Sequence, residues 1–251
     1  MKNKNLFETA GIMICLLVIL AGVIFVWKID TAAFFQGATP TRSSSATSIS
    51  AASSSSQAQK EDTLPNVSPD DWELVLVNRD HLLETEPASL TSIGDIQVDS
   101  RIAEATNQFL VAARMIVPEE ILISGYRSKT EQEQLYNDRI AEAEASGLSQ
   151  EEAENLVKNQ VQRPGASEHQ TGLAIDMGEA EGQLDEVAEK IKALAPQYGF
   201  VLRYPEGKSE ITGIKFESWH FRYVGIDSAK YMEEHHLVLE EYIALLKEKK
   251  Q

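Results

Sequence analysis

A chain of 251 residues, 43% of them hydrophobic, has length for one ordinary domain with extensions. Its formal net charge of −16 argues against nucleic acid as a partner, because a phosphate backbone selects basic surfaces. The single cysteine, Cys15, excludes an internal disulfide framework.

The first apolar element is AGIMICLLVILAGVIFVW, residues 10–27, which carries no charge. As a helix it would extend about 27 Å, close to the hydrocarbon thickness of a bilayer. Lys2 and Lys4 precede it, and Lys28 beside Asp30 follows it. This asymmetry predicts a cytoplasmic N-terminus at 1–9 and a transmembrane anchor at 10–27. The remainder would then face the extracellular, cell-wall side of a single-pass membrane protein. A signal peptide is the alternative, although its apolar region is normally shorter, about 7–15 residues. Residues 28–61 include GATPTRSSSATSISAASSSSQAQK (37–60), which lacks the large apolar side chains a core needs and predicts a linker. The folded domain is expected over 62–251.

Within that domain, alternation predicts short strands at WELVLVN (72–78), ILISGYR (121–127), GLAIDMG (172–178), GFVLRYP (199–205) and WHFRYVG (219–225). Helical spacing is expected over 101–117, 128–143, 150–162, 183–197 and 227–249, with Ser128 and Glu131 forming a capping box. Strands crowded late in the chain among helices predict an α+β domain with a small, largely antiparallel sheet flanked by helices.

Three stretches carry candidate chemistry. In ILISGYRSKTEQEQLY (121–136), Arg127 ends a strand, where a guanidinium could face a developing oxyanion. An ordinary surface salt bridge is the default reading of an isolated arginine. In SEHQTGLAIDMG (167–178), His169 and Asp176 are seven residues apart, about 23 Å if fully extended. A turn at Gln170-Thr171-Gly172 would fold the chain back and bring them together. Leu173, Ile175 and Met177 would then face one side of the strand, and Asp176 the other. A turn-bonding aspartate with an unrelated surface histidine is the alternative. In KFESWHFRYVG (215–225), Glu217 and His220 are three apart and would lie on opposite faces of a regular strand. They meet only if Glu217 lies on a bend or beside a bulge. His169, Asp176 and His220 would then form an N,O,N ligand set that leaves a position open, as a catalytic zinc site requires. Glu217 would be the unligated carboxylate that accepts a proton from water.

SGYRS, S-x-H-x-x-G-x-A-x-D and E-x-W-H-F-R-Y, in this order, resemble the zinc D-alanyl-D-alanine carboxypeptidases of the VanY type. VanX dipeptidases and bacterial L,D-carboxypeptidases are related to these. The resemblance covers the chain from about Trp72 to Gly225. It implies Zn2+ on His169, Asp176 and His220, Glu217 as catalytic base, Arg127 steadying the tetrahedral intermediate and Ser167 contacting substrate. Ser124, Gln134, Tyr204 and Trp219 are expected to line the pocket, although Tyr126 and Trp219 also suit a core. The implied reaction removes a C-terminal D-alanine from peptidoglycan stem peptides, D,D- or L,D-. An endopeptidase or dipeptidase of the same chemistry, or a non-catalytic wall-binding module, are the alternatives.

Overall fold

The computed structural model describes residues 63–249, which fall in a compact unit spanning Thr63–Gln251. Two sheets organise it. A hairpin pairs β1 (Leu90–Ile93) with β2 (Ile96–Asp99) across Gly94-Asp95, with Ile93 opposite Ile96. The second sheet is antiparallel throughout, in the order β3-β4-β6-β5: β3 (Ile121–Ser124), β4 (Ala174–Gly178), β6 (Glu217–Tyr223) and β5 (Phe200–Tyr204). Helices α1 (Ala103–Arg114), α2 (Lys129–Ala145), α3 (Gln150–Val157), α4 (Asp185–Leu194), the single turn α5 (Ser209–Thr212), α6 (Ile226–Glu234) and α7 (Leu239–Lys249) flank the two sheets.

The strands of the larger sheet alternate, and the two faces have different tasks. Ile175 and Met177 of β4, Phe221 of β6, and Phe200 and Leu202 of β5 enter one core with Phe109 of α1 and Ile191 of α4. Phe109 is central there: its ring lies 5.2 Å from both Phe200 and Phe221. Helix α1 supplies that face because Thr106, Phe109, Leu110 and Ala113 recur at helical spacing. On the other face, Val201 and Val224 pack with Met232 of α6 and with Tyr242, Ile243 and Leu246 of α7. Asp176, His220 and Arg222 also point to that second face.

Several sequence expectations are corrected. WELVLVN forms a 3-10 turn at Trp72–Leu74 followed by irregular chain, not a strand. The carbonyls of Glu73 and Val75 accept instead from Nη2 of the buried Arg222, at 2.8 and 2.9 Å, and Leu74 is buried in the second core. The terminal helix is two helices, broken where His236 adopts a φ of 53°, and the Glu241 carboxylate accepts from Val238 N–H at 2.9 Å to begin the second. The transmembrane element is a further correction: among the described residues no helix is long and apolar enough to cross a membrane. The longest, α2, has 17 residues and the polar sequence KTEQEQLYNDRIAEAEA. Residues 10–27, on which that expectation rested, lie outside the described residues. The membrane as a partner and the single-pass cell-membrane localisation are therefore withdrawn with it.

Glu120 closes the turn between α1 and β3. It is fully buried, one carboxylate oxygen accepting from Gln183 Nε2 at 2.7 Å and the other having no hydrogen-bond partner. Burial, reinforced by Glu179, pushes its pKa up to about 7 from 4.5. The folded state thus keeps a proton that the unfolded chain releases, and stability falls as pH rises between those two values. Glu120→Gln is expected to be near neutral at low pH and to stabilise by ~1 kcal/mol at pH ~8, read from urea melts at both.

Candidate active site and metal centre

Each site residue is held by a distinct local device. His169 occupies a 3-10 turn, Glu168–Thr171, that ends on Gly172 at φ 68°. A Cβ at Gly172 would approach the Asp99 backbone nitrogen to 2.8 Å, so only glycine allows this reversal beside β2. The turn replaces the extended separation of His169 and Asp176 with contact. Gly125 supplies the second device. A side chain there would strike the Gln97 carbonyl at 2.3 Å, and its own carbonyl accepts from His169 Nδ1 at 2.7 Å. Arg127 N–H donates to the His169 carbonyl at 3.1 Å, locking the SGYR loop onto the histidine turn.

Asp176 and His220 stand directly opposite each other on β4 and β6. Their side chains meet, with His220 Nδ1 at 3.0 Å from Asp176 Oδ1 and His169 Nε2 at 3.4 Å from Asp176 Oδ2. The register of β5 against β6 shifts between Leu202/Phe221 and Tyr204/Glu217, so four steps along β6 match two along β5. This irregularity turns Glu217 onto the His220 face, with Glu217 Oε2 at 3.8 Å from His220 Nδ1.

His169, Asp176 and His220 each offer a ligand atom, and the three atoms lie within 4.8 Å of one another. Tetrahedral zinc, with ligands at roughly 2.0–2.2 Å, needs separations of about 3.3 Å between donors, a contraction small enough for side-chain rotation. The donor chemistry also fits. Because His169 Nδ1 is engaged by the Gly125 carbonyl, its Nε2 is the nitrogen left to bind an ion.

A cavity of about 190 Å³ is lined by Arg127, Gln132, Ser167, Tyr204, Trp219 and the groups above, whereas Ser124 and Gln134, also expected there, do not line it. The Arg127 guanidinium donates to Gln132 Oε1 and Ser124 Oγ, both at 2.9 Å, which fixes its direction. Tyr204 is buried with its ring 4.9 Å from His220, whereas Trp219 is half-exposed at the rim. Gln134 is exposed and bonds Asp138 on the outer face of α2. Gln132, two positions earlier, is the buried glutamine at the cavity. A larger cleft of about 450 Å³ beside α4 and α6 brings together none of the three candidate metal ligands, so volume does not locate the chemistry here.

Burial by itself opposes charge on Asp176, but attraction to His169 and His220 outweighs it and holds the carboxyl well below the usual range. Burial dominates at Glu217, and with Asp176 and Glu168 nearby it lifts that pKa to about 7 against the pull of His220. One carboxylate is thus kept ionised as a donor while its neighbour is poised to exchange a proton near neutrality.

The sequence reading missed Glu168, the residue beside His169. It is fully buried, and its Oε1 accepts from Arg203 Nε and Arg222 Nη1, both at 2.8 Å. The available signal was an arginine inside each of two apolar strands, FVLRY and WHFRY, since a buried guanidinium requires a buried carboxylate.

Residues 95–226, including every ligand candidate, match the family described as VanY, D-alanyl-D-alanine carboxypeptidase. This chain belongs to the VanY family. A D-alanyl-D-alanine carboxypeptidase of Enterococcus faecalis is 35% identical over 178 residues, covering 69% of this chain and 66% of its own length. VanXYC of Enterococcus gallinarum, a bifunctional D-Ala-D-Ala dipeptidase and carboxypeptidase, is 36% identical over 185 residues, covering 67% of this chain and 92% of itself. A mutant of the D,D-pentapeptidase VanY from a VanB-type resistance cassette, solved in complex with Zn(II), superposes with a TM-score of 0.64 at 34% identity. That match covers 69% of this VanY-family chain and 99% of the solved one.

Proposed function

We propose that the chain is a zinc-dependent carboxypeptidase that removes the C-terminal D-alanine of peptidoglycan stem peptides, and that the cavity residues divide the work as follows. The observation that carries the reading is the convergence of two histidines and one aspartate with a fourth group, the poised Glu217 carboxylate, in one cavity. His169, Asp176 and His220 hold the metal. Zinc there supplies Lewis acidity toward the scissile carbonyl and makes water nucleophilic near neutral pH. Glu217 takes a proton from the attacking water and returns one to the amine of the departing D-alanine, a shuttle for which a pKa of about 7 is well placed. Ser124 and Gln132 hold Arg127 toward the carbonyl oxygen, where its charge offsets the developing negative charge. Ser167, buried in the cavity wall, offers a hydroxyl to the substrate backbone, and Trp219 borders the entrance.

Arg127→Ala is expected to lower kcat about 10²–10³-fold without loss of bound zinc, as removal of one oxyanion donor does elsewhere. Unchanged kcat would remove Arg127 from the mechanism.

The function itself is tested by incubating the protein with pentapeptide and tetrapeptide stem fragments, with and without a chelator, and weighing the products. Loss of a single alanine that the chelator abolishes supports the reading. The fragment that shortens shows whether a D- or an L-residue precedes the leaving D-alanine. A dipeptidase reading draws on the bifunctional relative, and free D-Ala-D-Ala in the same assay decides it. No cleavage of any of the three by zinc-loaded protein would overturn the assignment.

A further inference from the structure

The buried charge cluster behind the metal ligands has no direct part in the reaction described above. Glu168, Arg203 and Arg222 have side chains no more than 1% exposed, in the layer under His220. Burying three charges is costly, and structural pairing alone is rarely the more stable solution compared with apolar packing. The arrangement of the two Glu168 oxygens shows a second task. Oε1 accepts from both arginines. Oε2 has no hydrogen-bond partner and faces His220 Nε2 at 3.6 Å, and that nitrogen has none either. On the far side of the same ring, Nδ1 points to Asp176 at 3.0 Å. The imidazole therefore lies between a buried carboxylate and the metal position, with one nitrogen directed at each.

We propose that Glu168 is a positioning residue for His220: it accepts the Nε2 proton, fixes the ring's orientation and tautomer, and so presents the Nδ1 lone pair to the metal. The inference rests on His169, Asp176 and His220 being the zinc ligands. His169 is oriented by the backbone carbonyl of Gly125, whereas His220, on the interior strand β6, takes its orientation from a side chain. The arginines act through Glu168. By occupying Oε1 from two sides they leave Oε2 a single direction. A carboxylate behind a ligating histidine raises its basicity and reduces the freedom lost when the ion binds.

Glu168→Gln is a gentle probe, because each arginine keeps other partners: Arg203 its two bonds to Glu240, and Arg222 the carbonyls of Glu73, Val75 and Tyr223. Zinc affinity is read by competition against a chromophoric chelator. The expected result is a dissociation constant raised about 10–100-fold in Glu168→Gln and unchanged in Glu240→Gln, which disturbs the same cluster away from the ring. Equal weakening in both variants would make the cluster structural only and overturn the proposal. A measurement on the unmodified protein decides the matter even if Glu168→Gln fails to fold. In zinc-loaded protein labelled with 15N-histidine, long-range proton–nitrogen spectra should show the His220 proton on Nε2 and slow to exchange. A proton on Nδ1, or fast exchange at Nε2, would overturn the role of Glu168 while leaving the zinc assignment standing. Failure of the unmodified protein to bind zinc would instead bring down the ligand assignment beneath it.

Discussion

Glu217→Gln should keep its zinc and lose its turnover, with kcat falling about 10²–10⁴-fold, the usual contribution of a positioned general acid–base group. The substitution is nearly isosteric, so the Tyr204–Glu217 pairing that brings the side chain onto the His220 face should survive. What disappears is a carboxylate whose burial raises it to about 7, poised to accept and release a proton in one cycle. An amide cannot do this. Metal analysis of the dialysed variant beside single-turnover kinetics makes the check. Zinc lost together with activity would make Glu217 a ligand, and activity retained would place the base elsewhere.

His220→Ala should lose metal and activity together. His220 is one of the three candidate donors that the described residues bring together, it joins Asp176 at 3.0 Å, and its ring packs at 4.9 Å on both His169 and Tyr204. Removing it leaves two donors, too few to hold zinc against dialysis. A thermal melt gives a readout independent of substrate. An ion that binds only the folded state stabilises it by about 4 kcal/mol at a thousandfold excess over Kd. The unmodified protein should therefore melt higher with zinc than with chelator, by roughly 8–16 °C for that energy. His220→Ala should show no difference. A zinc-dependent shift of full size in the variant would exclude His220 as a ligand.

Much of the site was legible because its parts are local. Gly172 after the His169 turn, the alternation that sets Asp176 apart from Ile175 and Met177, and the three-residue spacing of Glu217 and His220 all lie within stretches of about ten residues. The spacing also stated its own condition, a bend or bulge, and the structure has a register irregularity at that point. The capping box at Ser128 and Glu131 was readable for the same reason and is present. The WELVLVN segment (72–78) was misread because an apolar run shows that side chains will be buried, not what pairs with the backbone. Leu74 and Val77 are indeed buried, yet the carbonyls of that segment are taken by Arg222. Gln134 and Gln132 differ by two positions, which on a helix separates the outer face from the cavity wall.

The sequence by itself determined which residue types were available for metal, base and oxyanion chemistry, and where backbone reversals had to fall, since these depend on side-chain chemistry and on glycine. Tertiary structure alone decided that strands β4 and β6 are neighbours, which places Asp176 opposite His220 across 44 positions of chain. It alone decided that Glu168 is buried between His220 and the guanidinium groups of Arg203 and Arg222, from strands 35 and 54 residues further on. Such contacts depend on which strands pair and in what register. That choice is made by the burial of a whole sheet face, and no short stretch of sequence records it.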